Sequence, residues 1–464
     1  MSKTNHTIVI LFCLAGLFLQ VGCRKKGVNE EASGGAVSRE GTSRSNEINA
    51  TRTVHFPDGG VGTLKVRQAG SDDYFRTVFC EAEGDVEVPA DKDLMLDVYG
   101  GITDFSFLDD LKADDIQSLR LWATDINDAN LVHIERMTGL RELYLGSTGI
   151  GDDGLVHLAD LTSLKTLSLF NTKITDAGLV HLSNLASLEK LFLASTEVKG
   201  AGLVHLKGLR SLVYVNLGWT LITDESLRHI QDMHWLKELR LHETNIGDNG
   251  LSYLKGLRSI ERLVLGYLYP PGSERRRKPL KHDRSPITDA GLAHLKDLRS
   301  VKSLELFRTH VTDSGLTHLK NLTFLEDLSL KGGKITGEGL AALKELPALS
   351  RLYLSETGVT GSGLAHLEAR AETLTSLALE STKITDEDLS FLKRLTRLER
   401  LYLSKTAITD TGLVHLKGLK SLKMLRLDNT QITDAGLVHL VGLSALEEIS
   451  VRGTKVTNEG LGQL

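Results

Sequence analysis

The chain has little of what most catalytic and metal-binding proteins depend on. Of its 464 residues, three are cysteines, and aromatic residues make up 5%. The formal net charge is −5, which does not indicate a nucleic-acid-binding role. No segment matches a nucleophile elbow, a zinc-binding H-E-x-x-H, a phosphate-binding glycine loop or a calcium loop. We therefore expect no catalytic residue, no bound metal, no cofactor and no nucleic-acid partner.

The N-terminus carries one apolar run, from Ile8 to Leu19. About a dozen apolar residues are typical of a signal-peptide core and span a bilayer poorly. Gly22-Cys23 follows, and it resembles the lipobox of bacterial lipoproteins, which implies lipidation of Cys23 as the mature N-terminus. Two features depart from that pattern: Gln20 replaces the usual Leu, and the basic residues 24–26 work against export.

These features predict a lipoprotein-type signal peptide over residues 1–22 and a lipid-anchored location in the cell envelope, periplasmic or surface-facing. Secretion is the second choice, and an uncleaved anchor or a cytosolic protein are further alternatives. With Cys13 removed and Cys23 lipidated, Cys80 would be the last thiol, which excludes an internal disulfide and a cysteine-based zinc site.

Residues 23–93 lead from this anchor into the folded part. Residues 23–52 are rich in Gly, Ser and charge, so we predict a disordered tether. Residues 53–93 alternate short apolar runs with turn residues, as in Val54-His55-Phe56 before Asp58-Gly59-Gly60. We predict a β-rich N-terminal cap there, because the terminal coil of a repeat array needs covering.

Residues 94–464 repeat one unit, of which 167–188 is a clear example. An L-x-L core recurs every 24 residues, with one spacing of 25 and one of 41, and a degenerate first unit begins at Leu94. Apolar residues alternate in Leu167-Ser168-Leu169, as in a strand, and recur every three residues after Leu179, as in a helix. The core positions are Leu119, Leu143, Leu167, Leu191, Val215, Leu239, Leu263, Leu304, Leu328, Leu352, Leu377, Leu401, Leu425 and Ile449.

The pattern L-x-x-L-x-L-x-x-T-x-I-T-D-A-G-L-x-x-L resembles leucine-rich repeats, most closely the ribonuclease-inhibitor-like and bacterial GALA-like variants. The resemblance implies an α/β fold: a curved leucine-rich repeat solenoid with a parallel β-sheet on the concave face and helices on the convex face. Thr172 stands where that family usually has Asn, and we expect its hydroxyl to bond the turn backbone. Thr175-Asp176 indicates a helix N-cap. Gly208, Gly256 and Gly418 suit a left-handed helix stop.

Histidine recurs in one slot of the helical half, as in His157 and His181. Neighbours in stacked coils would lie about 5 Å apart, so a metal-binding row is conceivable. Copying of one ancestral unit explains the row equally simply, and we interpret these histidines as structural.

Candidate binding residues are those that the repeat does not require. On the concave face we predict a patch comprising Trp122, Tyr144, Phe170, Phe192 and Tyr214. A second group contains Tyr353 and Tyr402, with Arg351, Arg400 and Arg426 nearby in sequence. Packing against the N-terminal cap is the alternative for the first group, and a solvated face for the second.

The third candidate is the insertion at 266–286, which carries the basic run Arg275-Arg276-Arg277. Insertions in repeat arrays map to loops on one face, often the binding face. A tolerated solvated loop is the alternative.

Together these features predict a non-enzymatic scaffold that recognises a protein partner or an extended ligand on the concave face and reaches the membrane through a lipid anchor. Two alternatives remain. One is an adhesin- or effector-type protein acting on another cell. The other is an enzyme with a site in the cap or insertion, for which 53–93 offers few residues.

Overall fold

The computed structural model describes residues 50–71, 74–75, 77–268 and 285–464. The predicted signal peptide, Cys23 and nearly all of the tether lie outside these residues, as does most of the insertion, including Arg275, Arg276 and Arg277. The described residues form two compact units, residues 50–197 and Val198–Leu464.

The first unit begins with antiparallel strands and continues as parallel ones. Strand β1 pairs with β4, while β2 pairs with both β3 and β5, all antiparallel. From β5 to β9 each strand pairs in parallel with the next. The strands are β1 Thr51–His55, β2 Gly62–Gln68, β3 Thr77–Glu81, β4 Asp85–Pro89, β5 Lys92–Val98, β6 Ser118–Arg120, β7 Glu142–Tyr144, β8 Thr166–Ser168 and β9 Lys190–Phe192.

The second unit has a parallel sheet in which each strand from β10 to β19 pairs with its successor. The strands are β10 Tyr214–Asn216, β11 Glu238–Arg240, β12 Arg262–Gly266, β13 Ser303–Phe307, β14 Asp327–Ser329, β15 Arg351–Tyr353, β16 Ser376–Ala378, β17 Arg400–Tyr402, β18 Met424–Arg426 and β19 Glu448–Ser450.

The strand register confirms the repeat alignment within each unit. Leu143 lies opposite Leu167 in the first unit, and Leu401 lies opposite Leu425 in the second. Across the spacing of 41, Leu263 still pairs with Leu304. In the degenerate unit, Leu96 rather than Leu94 lies opposite Leu119. From β6 to β18, the core position and the leucine two residues after it are buried, so they form the core.

The helical half of each coil is a short helix, often a 3-10 helix. A coil of 24 residues has little room for more, because it must also hold a strand and two connections. The first unit has 3-10 helices Ser106–Asp110, Asp128–Ile134, Asp153–Leu158 and Gly178–Leu182. The second has Ala201–Leu206, Asp224–His229, Tyr253–Gly256, Thr317–Leu319, Glu338–Glu345, Ala365–Arg370, Glu387–Arg394 and Val414–Leu416. Its α-helices are α1 Asp248–Ser252, α2 Asp289–Ala293, α3 Asp313–Leu316, α4 Gly361–Leu364, α5 Asp410–Leu413, α6 Asp434–Leu437 and α7 Asn458–Leu461.

The threonine that follows most of the strands bonds the turn, as predicted. Its hydroxyl donates to the carbonyl three residues earlier, at 2.7 Å for Thr172 to Leu169 and at 2.6 Å for Thr430 to Leu427. The residue before this threonine has a positive φ, for example 55° at Asn171 and 57° at Asn429. That left-handed residue turns the chain out of the strand and lets the hydroxyl reach back.

The prediction of a left-handed stop at Gly208, Gly256 and Gly418 is wrong, because none of the three has a positive φ. Gly256 instead lies close to the backbone of the preceding coil. A Cβ there would lie 2.2 Å from the carbonyl oxygen of Gln231 in the preceding coil.

The Thr-Asp pair does more than cap a helix, because in many coils it also bonds to the neighbouring coil. Thr433 caps α6 as predicted, accepting from the N–H of Ala435. Its own N–H and hydroxyl both donate to the carboxylate of Asp410 in the preceding coil, each at 2.7 Å. The same arrangement joins Asp152 to Thr175, Asp248 to Thr288, Asp289 to Thr312, Asp386 to Thr409 and Asp434 to Thr457. We call it the aspartate ladder.

Within the described part of the chain, no helix is long and apolar enough to cross a membrane.

Candidate interaction surface on the sheet face

The second unit has a groove on the exposed face of its sheet, with a volume of about 520 Å³. Strand geometry explains its position, because residues before, between and after the two core leucines of a coil point away from the core. The groove crosses β12 to β17. Its small residues are Ser303, Ser329, Ser355 and Ala378, and its aromatic residues are Phe307, Tyr353 and Tyr402.

Two of the predicted binding residues, Tyr353 and Tyr402, therefore lie in one groove. They stand on β15 and β17, and Ala378 of β16 pairs with both. Strand spacing places the two backbones about 10 Å apart with a methyl group between them. Both tyrosines are half-buried, so each ring presents one part to the groove and packs the other against the sheet.

Ion pairs neutralise most of the charged groups of this groove. The carboxylate of Asp327 accepts two hydrogen bonds from Arg351, and Arg262 lies 3.3 Å from Glu305. Burial raises the pKa of the Glu305 carboxyl, and Arg262 opposes that shift. An acidic ligand would have to displace these carboxylates, so the groove suits a neutral ligand that offers hydrogen bonds and apolar groups.

In the first unit, the structure brings Trp122 and Phe170 together. Their rings stack with centroids 5.3 Å apart and planes 12° apart, although their strands are separated by β7. Gly146 makes the stack possible, since a Cβ there would lie 2.3 Å from Cζ3 of Trp122. Trp122 remains 37% exposed. This pair forms a small apolar surface on the sheet face.

Tyr144 belongs instead to a buried network reached by the antiparallel strands. Its hydroxyl donates to Glu142 at 3.2 Å, and Glu142 also accepts from Arg67 of β2 at 2.8 Å. Arg67 lies 3.4 Å from Asp93 of β5 and 4.2 Å from the centroid of the Phe75 ring. Burial raises the pKa of Tyr144. Packing against the N-terminal strands thus accounts for this aromatic.

Phe192 and Tyr214 are each half-buried in their own unit, in β9 and β10. The guanidinium of Arg240 lies 5.6 Å from the centroid of the Tyr214 ring. That contact gives Tyr214 a partner within the second unit.

Two histidines of the row contact acidic side chains of the preceding coil. His133 lies 2.8 Å from Asp109, and His157 contacts Glu135. Among the described residues, no group of three or more His, Cys, Asp or Glu side chains is placed to hold a metal ion.

Phe307 and His242 are two sheet-face aromatic residues that the repeat pattern did not lead us to predict. Phe307 follows the second core leucine of its strand, as Trp122 and Phe170 do in theirs, so the same rule would have found it. His242 occupies that slot too, over Gly218, and its ring meets Trp219 edge-on at 4.4 Å. Burial lowers the pKa of His242 to about 4, so the ring is neutral at physiological pH.

Comparisons with known proteins agree on the fold. The leucine-rich repeat family matches residues 372–432 in one stretch and 137–159, 160–183, 232–255 and 321–344 as single repeats. An internalin from Listeria monocytogenes superposes with a TM-score of 0.55 at 24% identity, covering 74% of this chain and 88% of that one. A leucine-rich repeat protein from Leptospira interrogans gives a TM-score of 0.50 at 16% identity, covering 79% and 92%.

No curated protein sequence matches the chain. The fold is a leucine-rich repeat solenoid, and at these identities the structural likenesses show the fold alone. No catalytic family is indicated.

Proposed function

We propose that this chain is a recognition protein that binds a protein partner in the sheet groove of its second unit. Leucine-rich repeats generally mediate protein recognition. The observation that carries the proposal is the cleft between Tyr353 and Tyr402, which has Ala378 as its floor. Tyrosine side chains supply large, rigid contact area at low entropic cost and are enriched where partners bind.

The chemistry of the groove favours an extended peptide segment as the bound part of that partner. The hydroxyls of Tyr353 and Tyr402 can exchange hydrogen bonds with a backbone, and the balanced charges of the groove leave little net charge for a charged ligand to meet. A side chain of the segment would enter between the two tyrosine rings, above the methyl group of Ala378.

Selection from a random peptide display library tests this proposal. Peptides that bind the full-length chain are expected to bind the Tyr353→Ala/Tyr402→Ala variant at least about 10-fold more weakly, since such anchors carry a large share of binding energy. The matched control is Phe324→Ala/Phe391→Ala, which removes two exposed rings outside the groove and should leave affinity unchanged. Equal binding of the selected peptides to all three proteins would refute the groove as the binding site.

We further propose that the chain acts at the cell envelope, held by a lipid on Cys23. The apolar run before Cys23 and the Gly-, Ser- and charge-rich segment after it support this. In a bacterial host fed radiolabelled palmitate, the full chain should incorporate label and Cys23→Ser should not. Label retained by Cys23→Ser would contradict lipidation there, while Cys80→Ser is the matched control and should label normally.

A further inference from the structure

One edge of the second unit carries a row of basic side chains that the sheet groove does not involve. It lies in the connections that lead into β10, β11, β12 and β13. Arg210, Arg258 and Arg299 each stand four residues before the first residue of their strand, so the strand pairing places them in equivalent positions. We call this row the basic edge; its members are Lys207, Arg210, His234, Lys255, Arg258, Lys296 and Arg299.

Most cations of the basic edge differ from those of the sheet face in lacking carboxylate partners. Lys207 lies 3.5 Å from Asp232. Among the described residues, no carboxylate lies within ion-pair distance of the other cations, and the three arginines are exposed. On the sheet face, by contrast, Arg262 and Arg351 are both paired. An anion can therefore bind the three arginines of the basic edge without breaking an existing ion pair.

An ordered tryptophan lies in the middle of the basic edge. Trp235 occupies a slot that holds serine in the flanking coils, at Ser211 and Ser259. Its indole N–H donates to the carbonyl of Leu209 at 3.1 Å, and the Arg210 guanidinium lies 4.2 Å from its ring centroid. The repeat does not need an aromatic there, since Leu236 already fills the core. A cavity of about 710 Å³ adjoins it, and Lys207, Arg210, His234, Trp235 and Arg258 are among its lining.

We propose that the basic edge binds a linear, strongly anionic polysaccharide. The cations follow the stacking direction of the coils, at about 4.8 Å per coil, so they match a chain of repeated anionic groups better than a single ion. Arginine forks bind sulfate, phosphate or carboxylate oxygens in pairs. The exposed part of Trp235 adds an apolar surface beside them, against which a sugar ring can pack.

Other polyanions fit these observations less well. Single-stranded nucleic acids are bound on successive aromatic rings, and this edge has one ring in four coils. A membrane surface requires apolar side chains free to insert, whereas Trp235 is half-buried and its N–H is bonded to the protein backbone.

Binding of heparin, a linear sulfated polysaccharide, to the full-length chain tests the proposal. The Arg210→Ala/Arg258→Ala/Arg299→Ala variant is expected to bind at least about 10-fold more weakly at low salt, with a shallower dependence of affinity on salt. Trp235→Ala should weaken binding several-fold at every salt concentration. Melting temperatures close to that of the parent chain would show that both variants are folded. The Lys255→Ala/Lys296→Ala variant is a second test, because it removes two other exposed cations of the basic edge and should also weaken heparin binding.

The matched control is Lys334→Ala/Lys383→Ala/Lys455→Ala, which also removes three exposed cations of the second unit, but from the turn that follows the strand. That variant should retain heparin binding. Loss of binding in this control variant with none in the edge variants would overturn the proposal. Tighter binding of poly-glutamate or single-stranded DNA than of heparin, at equal charge, would overturn the ligand class. Neither result bears on peptide binding in the groove, so the two proposals fail separately.

Discussion

Gly436→Ala should lower the free energy of unfolding by about 2–4 kcal/mol, since it forces an overpacked contact and disturbs two hydrogen bonds to a carboxylate. A Cβ at Gly436 would lie 2.3 Å from Oδ1 of Asp410 and 3.0 Å from Cδ1 of Leu413. Asp410 has little freedom to withdraw, because its two oxygens accept from the N–H and the hydroxyl of Thr433. The gain in helix propensity from Gly to Ala, about 1 kcal/mol, is too small to compensate.

Gly208→Ala is the matched control for this substitution. Gly208 also recurs in the repeat, but nothing lies within 4 Å of a Cβ there, and the change should alter stability by less than about 0.5 kcal/mol. Urea unfolding of both variants measures the difference. A double-mutant cycle with Asp410→Ala locates the cause, since Gly436→Ala should cost much less once the carboxylate is gone. Equal destabilisation in both backgrounds would contradict the steric account.

Arg67→Met should destabilise the first unit by about 3–5 kcal/mol, because it leaves two carboxylates in a poorly solvated site without their shared cation. The Arg67 side chain is 8% exposed and that of Asp93 is 5% exposed. Arg67 also lies 2.8 Å from Glu142, whose side chain is 16% exposed. Arg141 still reaches Asp93 at 3.3 Å, but its own side chain is 40% exposed and compensates only in part.

Two further measurements separate this electrostatic effect from lost packing. Arg120→Met removes a more exposed partner of Asp97, 3.6 Å away, and should cost less than about 1 kcal/mol. Adding Glu142→Gln to Arg67→Met should restore part of the lost stability, because the amide carries no charge to leave unpaired. If the double variant is no more stable than Arg67→Met alone, unpaired charge is not the cause.

Periodicity predicted the core and the register of the regular coils, because each leucine position is repeated many times over, and it was wrong only at the degenerate unit, where Leu96 rather than Leu94 lies opposite Leu119. Leu263 opposite Leu304 was predicted across a spacing of 41 for this reason. The threonine slot was predicted for the same reason, since Thr172 and Thr430 make the same bond in different coils. The left-handed residue before it was missed because residues as different as Asn171, Trp219 and Lys405 occupy it. Backbone geometry, rather than a preferred side chain, defines that position.

The binding surfaces depend on differences between units, where the sequence carries less information. Tyr353 and Tyr402 were predicted as outward-facing residues, but their joint cleft depends on the smallness of Ala378 between them. Tyr144 was predicted in the same way, yet Arg67 and Glu142 draw it into a buried network. Pattern analysis along one strand cannot distinguish these cases, because the deciding residue lies on another strand.

The aspartate ladder has a consequence for how such a chain can change length. Each carboxylate of the ladder accepts hydrogen bonds from the coil that follows it. The bond between Asp410 and Thr433 is therefore repeated between Asp434 and Thr457. Loss or duplication of one whole repeat at the gene level would join coils that already present the matching groups to each other. Gly200, Gly337 and Gly361 replace the aspartate in their coils, and a junction there would lack the bond. Recombination can therefore lengthen or shorten the array in whole repeats wherever the Thr-Asp pair is intact, without new compensating substitutions.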